Sequence, residues 1–313
     1  YGIYTQQVFF LFLGSASAGL TGGNMSMINA FISCETDRSY WSRNYSLFGA
    51  IIGTAFILGP QISAFFISYF QGFQSFYFIL LFCCFLSLMN WFLVYFWIYE
   101  SEEIALKSLK EKGAKNQCKG TLSFKGLDRN LLAVLAFMFG LYFSWLSFIK
   151  FFQVHLADVF LLSESDCCQM TSFLGFCGSL WQGLRFFIKF KFTEKYAWLV
   201  FCTLLMLFNF AVYSYVDTIV ALVLLTFSIS FAYAALSPSI LSLLFKQGEA
   251  PHAYKASLYQ SSKALAQILA PLSSGYLLSQ GASSPYLLTI IVLSFVLMVI
   301  LFYRRAFQES ISE

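Results

Sequence analysis

The chain has 313 residues, of which 59% are hydrophobic, 20% aromatic and only 11% charged. A water-soluble domain carries about 25% charged residues, so this composition excludes an ordinary soluble protein and indicates a polytopic membrane protein. The net charge of +4 is too small to indicate a nucleic-acid partner. The eight cysteines show no C-x-x-C spacing and most lie in apolar runs. We therefore expect them to be small hydrophobic side chains, with no metal site and no cofactor.

Nine apolar segments are long enough to cross a bilayer, which takes about 20 residues each. In chain order, the predicted spans are A (9–32), B (45–70), C (73–98), D (131–154), E (167–190), F (197–215), G (218–244), H (256–279) and I (286–303). The longest polar stretch, 100–130, separates the first three spans from the other six. We expect an all-α membrane protein with a three-helix bundle in 1–99, a cytoplasmic linker in 100–130 and a six-helix bundle in 131–313.

The distribution of basic residues predicts the orientation. If span A ends in the cytoplasm, every lysine and arginine except Lys150 falls in or beside an inner segment. Positive residues concentrate on the cytoplasmic side of membrane proteins. We therefore expect an external N-terminus and a cytoplasmic C-terminus.

Spans B and H resemble each other in sequence. The segment FILGPQISAFFIS (56–68) aligns without gaps with QILAPLSSGYLLS (267–279), so that Pro60 recurs as Pro271. The two spans lie six helices apart, and a six-helix repeat is the layout of major facilitator transporters. Nine spans make one and a half such repeats, which predicts a chain whose first three helices are absent.

Other segments carry a resemblance to the same superfamily. GLTGGNMSMINAFI (19–32) and DRSYWSRNYSLFGAIIGTAFILGP (37–60) resemble helices four and five of its drug:proton antiporter branch, which includes tetracycline-efflux proteins. LSPSILSLLF (236–245) and YKASLYQSSKALAQILAPL (254–272) are similar to helices ten and eleven. The resemblance covers essentially the whole chain, as helices four to twelve. It implies a secondary transporter, not an enzyme, that exports a small organic molecule by alternating access, with a proton as the candidate coupling ion.

The chain departs from this branch at positions linked to proton coupling. Ser15 follows Gly14 where the branch has an arginine, and Cys34 stands where an acidic residue is often found. The loop motif expected between spans E and F is reduced to KFKFTEKY (189–196). The resemblance therefore leaves the substrate, the direction and the coupling ion open.

Span B contains glycine and proline, which helices in water avoid. The resemblance aligns GTAFILGP (53–60) with the antiporter motif of helix five, in which the same residue types recur. Small residues let helices approach closely in lipid, and a proline frees a backbone carbonyl. We expect a helix-packing motif of Gly49, Gly53, Gly59, Pro60, Ser63 and Ala64, with Pro271 at the matching position of span H. The alternative is a generic packing face without a coupling role.

Polar side chains inside the spans are candidate sites because they are costly to bury in lipid. By resemblance, spans A, D and G line the central cavity. The candidates for a substrate pathway are Asn24 and Asn29 on span A, Lys150 and Gln153 on span D, Gln182 and Arg185 on span E, and Gln260, Lys263 and Gln267 on span H.

Each candidate also has a structural alternative. The asparagines of span A suit interhelical hydrogen bonds. Lys150 suits an ammonium group that snorkels to the outer interface, and we expect Arg185 to snorkel to the cytoplasm rather than contact a substrate anion. Lys263 is within reach of the inner interface, although the polar stripe of span H is expected to face protein or water.

Three functions stay open at this point. The first is an efflux transporter, the second a metabolite uptake carrier of the same fold, and the third a truncated membrane protein that does not transport. A membrane enzyme is disfavoured because His155 and His252 are isolated on opposite sides. The expected partners are the lipid bilayer, an unknown small molecule and a candidate coupling proton.

Overall fold

The computed structural model describes residues 24–70, 73–97, 129–187, 196–213, 215–247, 250–280 and 286–304, together with Phe9, Leu13 and Gly14. Regular structure in these residues is helical, with nine α-helices and one short 3-10 turn. The helices are α1 (Asn24–Glu35), α2 (Trp41–Tyr69), α3 (Phe73–Trp97), α4 (Arg129–Asp158), α5 (Glu164–Phe187), α6 (Tyr196–Tyr213), α7 (Ile219–Lys246), α8 (His252–Ser279) and α9 (Leu287–Phe302). They correspond in order to spans A to I, which confirms the all-α fold class. Most of the first half of span A, and the predicted linker as far as residue 128, lie outside the described residues.

Five of the described helices are long and apolar enough to cross a membrane by length and composition, namely α2, α3, α4, α6 and α7. The apolar helices α1 and α9 have 12 and 16 residues. Helices α5 and α8 have 24 and 28 residues but more polar sequences. Polar residues on α5 and α8 face the protein interior in several places, which lowers the hydropathy of these helices without exposing the polar groups to lipid.

The chain divides into two compact units. The first consists of Tyr1–Gly19 and Ile62–Leu127. In its described part, the end of α2 contacts α3 through Phe66 and Phe82, whose ring centroids lie 6.0 Å apart, and through the stacked rings of Phe70 and Phe78 at 4.2 Å. Most large apolar side chains of α3 are exposed. An apolar surface of this extent suits lipid rather than water.

The second unit consists of Leu20–Gln61 and Asp128–Glu313. Helix α4 packs against α7, α8 and α9, while α6 packs against α7 and α9. Helix α5 packs against α7, and α1 packs against α8. Gly140 on α4 allows α9 to approach, because a Cβ at that position would overlap the side chain of Val296. Helix α4 is thus held from three sides.

An aromatic core fixes α4, α6 and α9 relative to one another. Phe148, Phe210, Tyr213 and Tyr286 are fully buried. The ring centroids of the contacting pairs lie 5.2 to 6.3 Å apart. Aromatic side chains bury large apolar areas in defined geometries, so this core positions the neighbouring turns of α4.

The described cysteines differ in their surroundings. Cys167, Cys177 and Cys202 are buried, whereas Cys34, Cys83 and Cys84 are exposed. Cys118 lies outside the described residues. In the described part of the chain, no three His, Cys, Asp or Glu residues are grouped so that they would hold a metal ion.

Candidate functional site

A cavity of about 270 Å³ lies inside the second unit. Helices α1, α2, α4, α5, α7 and α8 all contribute to its lining. The lining residues with polar or charged side chains are Asn29, Tyr45, Tyr142, Gln182, Tyr233, Ser237, Tyr259, Lys263 and Gln267. A molecule in this cavity would therefore contact helices that precede residues 100–130 in the chain as well as helices that follow them.

Small residues bring α2 and α5 into direct contact beside the cavity. A Cβ on Gly53 would lie 2.8 Å from the Cβ of Ser179, and a Cβ on Gly175 would lie 2.8 Å from the carbonyl carbon of Phe56. Both separations are shorter than carbon atoms tolerate. The close approach of the two helices thus requires glycine at both positions, as expected for helix pairs in lipid.

Two serine hydroxyl groups on α5 bond to the backbone of α2 at the same contact. Ser179 donates from Oγ to the backbone oxygen of Ala50 at 2.9 Å, and Ser172 donates from Oγ to that of Ile57 at 3.1 Å. Ser172 is also within 3.1 Å of the backbone oxygen of Cys168 on its own helix. Sequence analysis did not single out these serines, because a serine in a span can equally bond to its own helix.

The other members of the predicted packing motif have different surroundings. Pro60 and Pro271 lie inside the continuous helices α2 and α8. A Cβ on Gly59 would meet no described atom within 4 Å. Ser63 and Ala64 are partly buried and belong to the first unit. A packing role for these last three residues stays a prediction.

Four aromatic residues of α4, α7 and α8 form what we call the aromatic wall of the cavity: Tyr142, Trp145, Tyr233 and Tyr259. The hydroxyl oxygens of Tyr142 and Tyr259 lie 2.5 Å apart and share a hydrogen bond. Trp145 and Tyr233 stack with ring centroids 4.0 Å apart and an interplanar angle of 3°. Sequence analysis missed these residues because 20% of the chain is aromatic, so a single tyrosine or tryptophan carried no signal.

Lys263 on α8 lines the cavity, and its Nζ lies 5.2 Å from the ring centroid of Tyr142. This is the geometry of a cation–π contact. Gln267, about one turn further along α8, also lines the cavity. Gln260 is absent from the lining, and its Oε1 is buried without a hydrogen-bond partner among the described residues. The predicted polar stripe of α8 is therefore split between the cavity and the protein interior.

Two amide side chains line the cavity from α1 and α5. Asn29 and Gln182 are 2% and 6% exposed, and their side-chain oxygens have no hydrogen-bond partner among the described residues. A Cβ on Gly49 would overlap the amide of Gln182, so Gly49 makes room for this side chain. Tyr45 donates its hydroxyl to the backbone oxygen of Asn29 at 3.1 Å. Asn24 is the first residue of α1, and its side chain lies outside what the structure describes.

The expectation that Arg185 snorkels to the cytoplasm is wrong. Arg185 is only 4% exposed. Its Nη1 donates to the backbone oxygen of Ala235 on α7 at 2.8 Å, and its Nη2 donates to Oγ of Ser42 on α2. Arg185 is absent from the cavity lining. These contacts remove the need for the guanidinium group to reach water.

Lys150 and Gln153 are also absent from the cavity lining. Lys150 is exposed near the end of α4, as expected for a snorkelling lysine. Gln153 donates from Nε2 to Oγ1 of Thr171 at 3.2 Å, which links α4 to α5. A role for either residue in a substrate pathway stays a prediction.

Packed aromatic rings occupy the region where α2 and α8 begin and α7 ends. Trp41, 1% exposed, makes edge contacts with Phe245 at 6.0 Å and with His252 at 5.4 Å between ring centroids. Tyr45, which lines the cavity one turn further along α2, stacks on Phe245 at 5.7 Å. Trp41 also donates from Nε1 to the backbone oxygen of Thr36 at 2.9 Å. The chain is therefore tightly packed beside this end of the cavity.

Lys255, at the start of α8, is a buried cation like Arg185. Lys255 is buried, and its Nζ donates to the backbone oxygen of Phe245 in the last turn of α7, at 2.9 Å. Positive groups are favourable at a helix C-terminus, where the backbone carbonyls carry partial negative charge. Lys255 thereby joins the end of α7 to the start of α8.

Long apolar helices around a cavity of this composition define an integral membrane protein with a candidate small-molecule site. The family model of the Major Facilitator Superfamily matches residues 1–256, so the chain belongs to this superfamily. It is therefore a secondary transporter rather than an enzyme, and it acts in a lipid bilayer on a small-molecule substrate. The superfamily predicted from the helix-four and helix-five segments is confirmed, while the match does not resolve the branch. No curated protein matches the chain.

Proposed function

We propose that this transporter exports a small organic molecule by alternating access, and that the molecule binds in the cavity of the second unit. The observation that carries the proposal is the cavity itself. It is lined by six helices, has an aromatic wall and contains a few polar groups. Sites for small molecules have this composition, with apolar surface for affinity and a small number of polar groups for orientation.

Export is supported by the resemblance of GTAFILGP in α2 to the helix-five motif of drug:proton antiporters. In that branch the motif is thought to seal one bundle against the other. The close approach of α2 to α5 at Gly53 and Gly175 fits such a seal. A proton is the proposed coupling ion, on the strength of the same resemblance.

The proposed substrate contacts are the candidate residues that line the cavity, namely Asn29, Gln182, Lys263 and Gln267. They lie on α1, α5 and α8, so a bound molecule would touch helices from both halves of the chain. Substrate sites of secondary transporters lie at such interfaces between repeats, near the bilayer midplane.

The proposed orientation has the C-terminus and the 100–130 linker in the cytoplasm, between a bundle in 1–99 and a bundle in 131–313. The distribution of basic residues supports this orientation. Every lysine and arginine except Lys150 falls in or beside a segment that would lie on the cytoplasmic side. In this orientation the packed rings around Trp41 and Phe245 lie at the cytoplasmic end of the cavity.

The proposal is tested with the native polypeptide in sealed membrane vesicles. Inside-out vesicles with an imposed proton gradient are given a panel of radiolabelled small organic molecules of positive, zero and negative charge. We expect gradient-dependent accumulation of at least one of them. Gly178 lines the cavity and a Cβ there would meet nothing within 4 Å, so Gly178→Phe should fill the cavity and stop accumulation.

Gly183→Phe is the matched control. Gly183 lies on the same helix, has equally open surroundings and is absent from the cavity lining. Accumulation in right-side-out vesicles instead would support the uptake carrier. Equal activity of the two variants, or no movement of any panel member, would contradict the proposed site or the proposed function, respectively.

A further inference from the structure

The cavity has a single charged side chain in its lining. Lys263 is the only Lys, Arg, Asp or Glu among the lining residues in the described part of the chain. Its ammonium group lies over the face of the Tyr142 ring. An ammonium group away from bulk water is costly unless an opposite charge or strong hydrogen-bond acceptors face it. An aromatic face supplies part of that stabilisation, and a bound anion would supply the rest.

We propose that the cavity selects a small organic anion, with one negative charge beside Lys263 and a planar aromatic body against the aromatic wall. The inference rests on the proposed function, because it takes the cavity to be the substrate site. The charge balance favours a monoanion such as a carboxylate, since one ammonium group neutralises one negative charge. The ammonium group of lysine is a compact point charge, which can pair with one anionic oxygen. An arginine would be expected instead if the site bound both oxygens of the anion at once.

The aromatic wall sets the shape of the ligand. The rings of Trp145 and Tyr233 stack almost parallel, with 4.0 Å between their centroids. The stacked pair forms a rigid aromatic surface beside the cavity. Tyr142 and Tyr259 are held by their shared hydrogen bond. Flat rings pack on such surfaces in offset-stacked or edge contacts, so the wall favours a planar ring over a branched aliphatic chain.

The buried amides add a second feature to the ligand. Asn29 and Gln182 line the cavity, and their side-chain oxygens are buried beside it without a hydrogen-bond donor among the described residues. A buried acceptor left without a donor destabilises the protein. A ligand hydroxyl group would satisfy one of them when the amide turns toward the cavity. The expected ligand is therefore an aromatic carboxylate that also carries a hydroxyl group.

The size of the cavity is consistent with such a ligand. A volume of about 270 Å³ lies near the lower end of the roughly 300–1,000 Å³ found for small-molecule sites. This space accommodates a single substituted ring. The class is thus a one-ring hydroxylated aromatic monocarboxylate.

The test measures equilibrium binding of radiolabelled 4-hydroxybenzoate to the purified native polypeptide in lipid nanodiscs. Two compounds with the same ring serve as comparisons, the neutral 4-hydroxybenzamide and the cationic 4-hydroxybenzylamine. We expect 4-hydroxybenzoate to bind roughly ten- to hundredfold more tightly than the amide, since its carboxylate pairs with the Lys263 ammonium group as an opposite charge and the amide does not. The amine should bind more weakly than the amide because its charge repels Lys263.

Lys263→Met keeps the length of the side chain and removes its charge. It should abolish the preference for 4-hydroxybenzoate over the amide, because it weakens binding of the carboxylate much more than binding of the amide. Residual binding of the amide also shows that the variant is folded. Lys263→Arg should retain the preference. Lys246→Met is the matched control, because Lys246 lies at the end of α7 and outside the cavity lining.

The inference is overturned if 4-hydroxybenzoate does not bind, if the amine binds more tightly than the carboxylate, or if Lys263→Met leaves the preference intact. An equal effect of Lys246→Met would also overturn it, since it would indicate a general surface-charge effect. Export in vesicles is a separate measurement. Export of another panel compound without 4-hydroxybenzoate binding would refute this inference alone, whereas Lys263-dependent binding without any transport would refute only the proposed function.

Discussion

Arg185 and Ser42 join two helices through a buried hydrogen bond from the guanidinium Nη2 to the serine hydroxyl oxygen. The opposite nitrogen, Nη1, bonds to the backbone oxygen of Ala235, so one side chain links α5 to both α2 and α7. The planar, branched guanidinium group suits this role because it presents several donors in a rigid arrangement.

We predict that Ser42→Ala destabilises the protein by about 1.5–3 kcal/mol, because it removes an acceptor from a buried charged donor. The measurement is the thermal unfolding midpoint of the purified protein. Ser257→Ala is the matched control, since Ser257 is exposed and bonds only to the backbone of its own helix, at Ala253. Equal midpoints for the two variants would show that the Arg185–Ser42 bond contributes nothing.

A second prediction concerns the contact between α2 and α5. Gly53→Ala places a methyl group 2.8 Å from the Cβ of Ser179 and 3.0 Å from its Cα, so the two helices must separate. We expect a loss of about 1–3 kcal/mol, typical of overpacking, together with impaired transport. Both are read from thermal unfolding and vesicle accumulation.

Gly183→Ala provides the comparison for Gly53→Ala. A Cβ on Gly183 would meet nothing within 4 Å, so this variant should keep native stability and activity. If both variants have the same stability and activity, the close approach of α2 to α5 at Gly53 does not contribute to the stability of the protein.

A third prediction concerns the hydrogen bond between Tyr142 and Tyr259. Tyr142→Phe or Tyr259→Phe alone should destabilise the protein by about 1 kcal/mol, because each removes one hydrogen bond from the buried hydroxyl group that remains. The double variant should lose less than the sum of the two single losses. A double-mutant cycle on unfolding free energies measures this coupling.

The control for this cycle is Tyr276→Phe, since Tyr276 is exposed on α8. It should leave stability unchanged within about 0.5 kcal/mol, as is usual for surface substitutions. Strict additivity of the two single losses would mean that the two tyrosines do not act as a pair.

A fourth prediction tests the orientation. Leu161 lies in the exposed turn between α4 and α5, and Tyr303 lies just beyond the end of α9. Cysteines introduced by Leu161→Cys and Tyr303→Cys should react with a membrane-impermeant maleimide from opposite sides. Labelling of position 161 in intact cells, and of position 303 only after permeabilisation, is the expected pattern. The reverse pattern would overturn the orientation and with it the cytoplasmic location of the 100–130 linker.

Much of the architecture follows from the sequence because lipid imposes simple rules on it. Each crossing must be a long apolar helix, so α2, α4 and α7 were predictable to within a few residues. The glycines at 49 and 53 were also predictable as a packing face, since glycine in an apolar helix has few other purposes. Their partner helix was not, because that depends on where α5 lies.

The cavity was harder to predict. Lys263 and Gln182 stood out because polar groups are rare in spans, but the same rule also selected Arg185, which bonds to other helices instead. The aromatic wall could not be predicted from the sequence. Tyrosines and tryptophans are common throughout this chain, and each of them could face the membrane interface as well as the cavity. Which aromatic residues face inward depends on helix rotation, and apolar spans with little amphipathicity do not encode rotation clearly.

The contact between α2 and α5 is close in space and weak in free energy. Its glycines allow the helices to approach closely but have no side chains that would add apolar contact area. Its two serine hydrogen bonds contribute about 0.6 kcal/mol each in a membrane. A bound ligand can shift such a contact only by the difference between its affinities for the closed and the parted states. A tenfold difference is about 1.4 kcal/mol, which already matches the two serine hydrogen bonds together, so a modest preference of the substrate for one state would be enough to part α2 from α5.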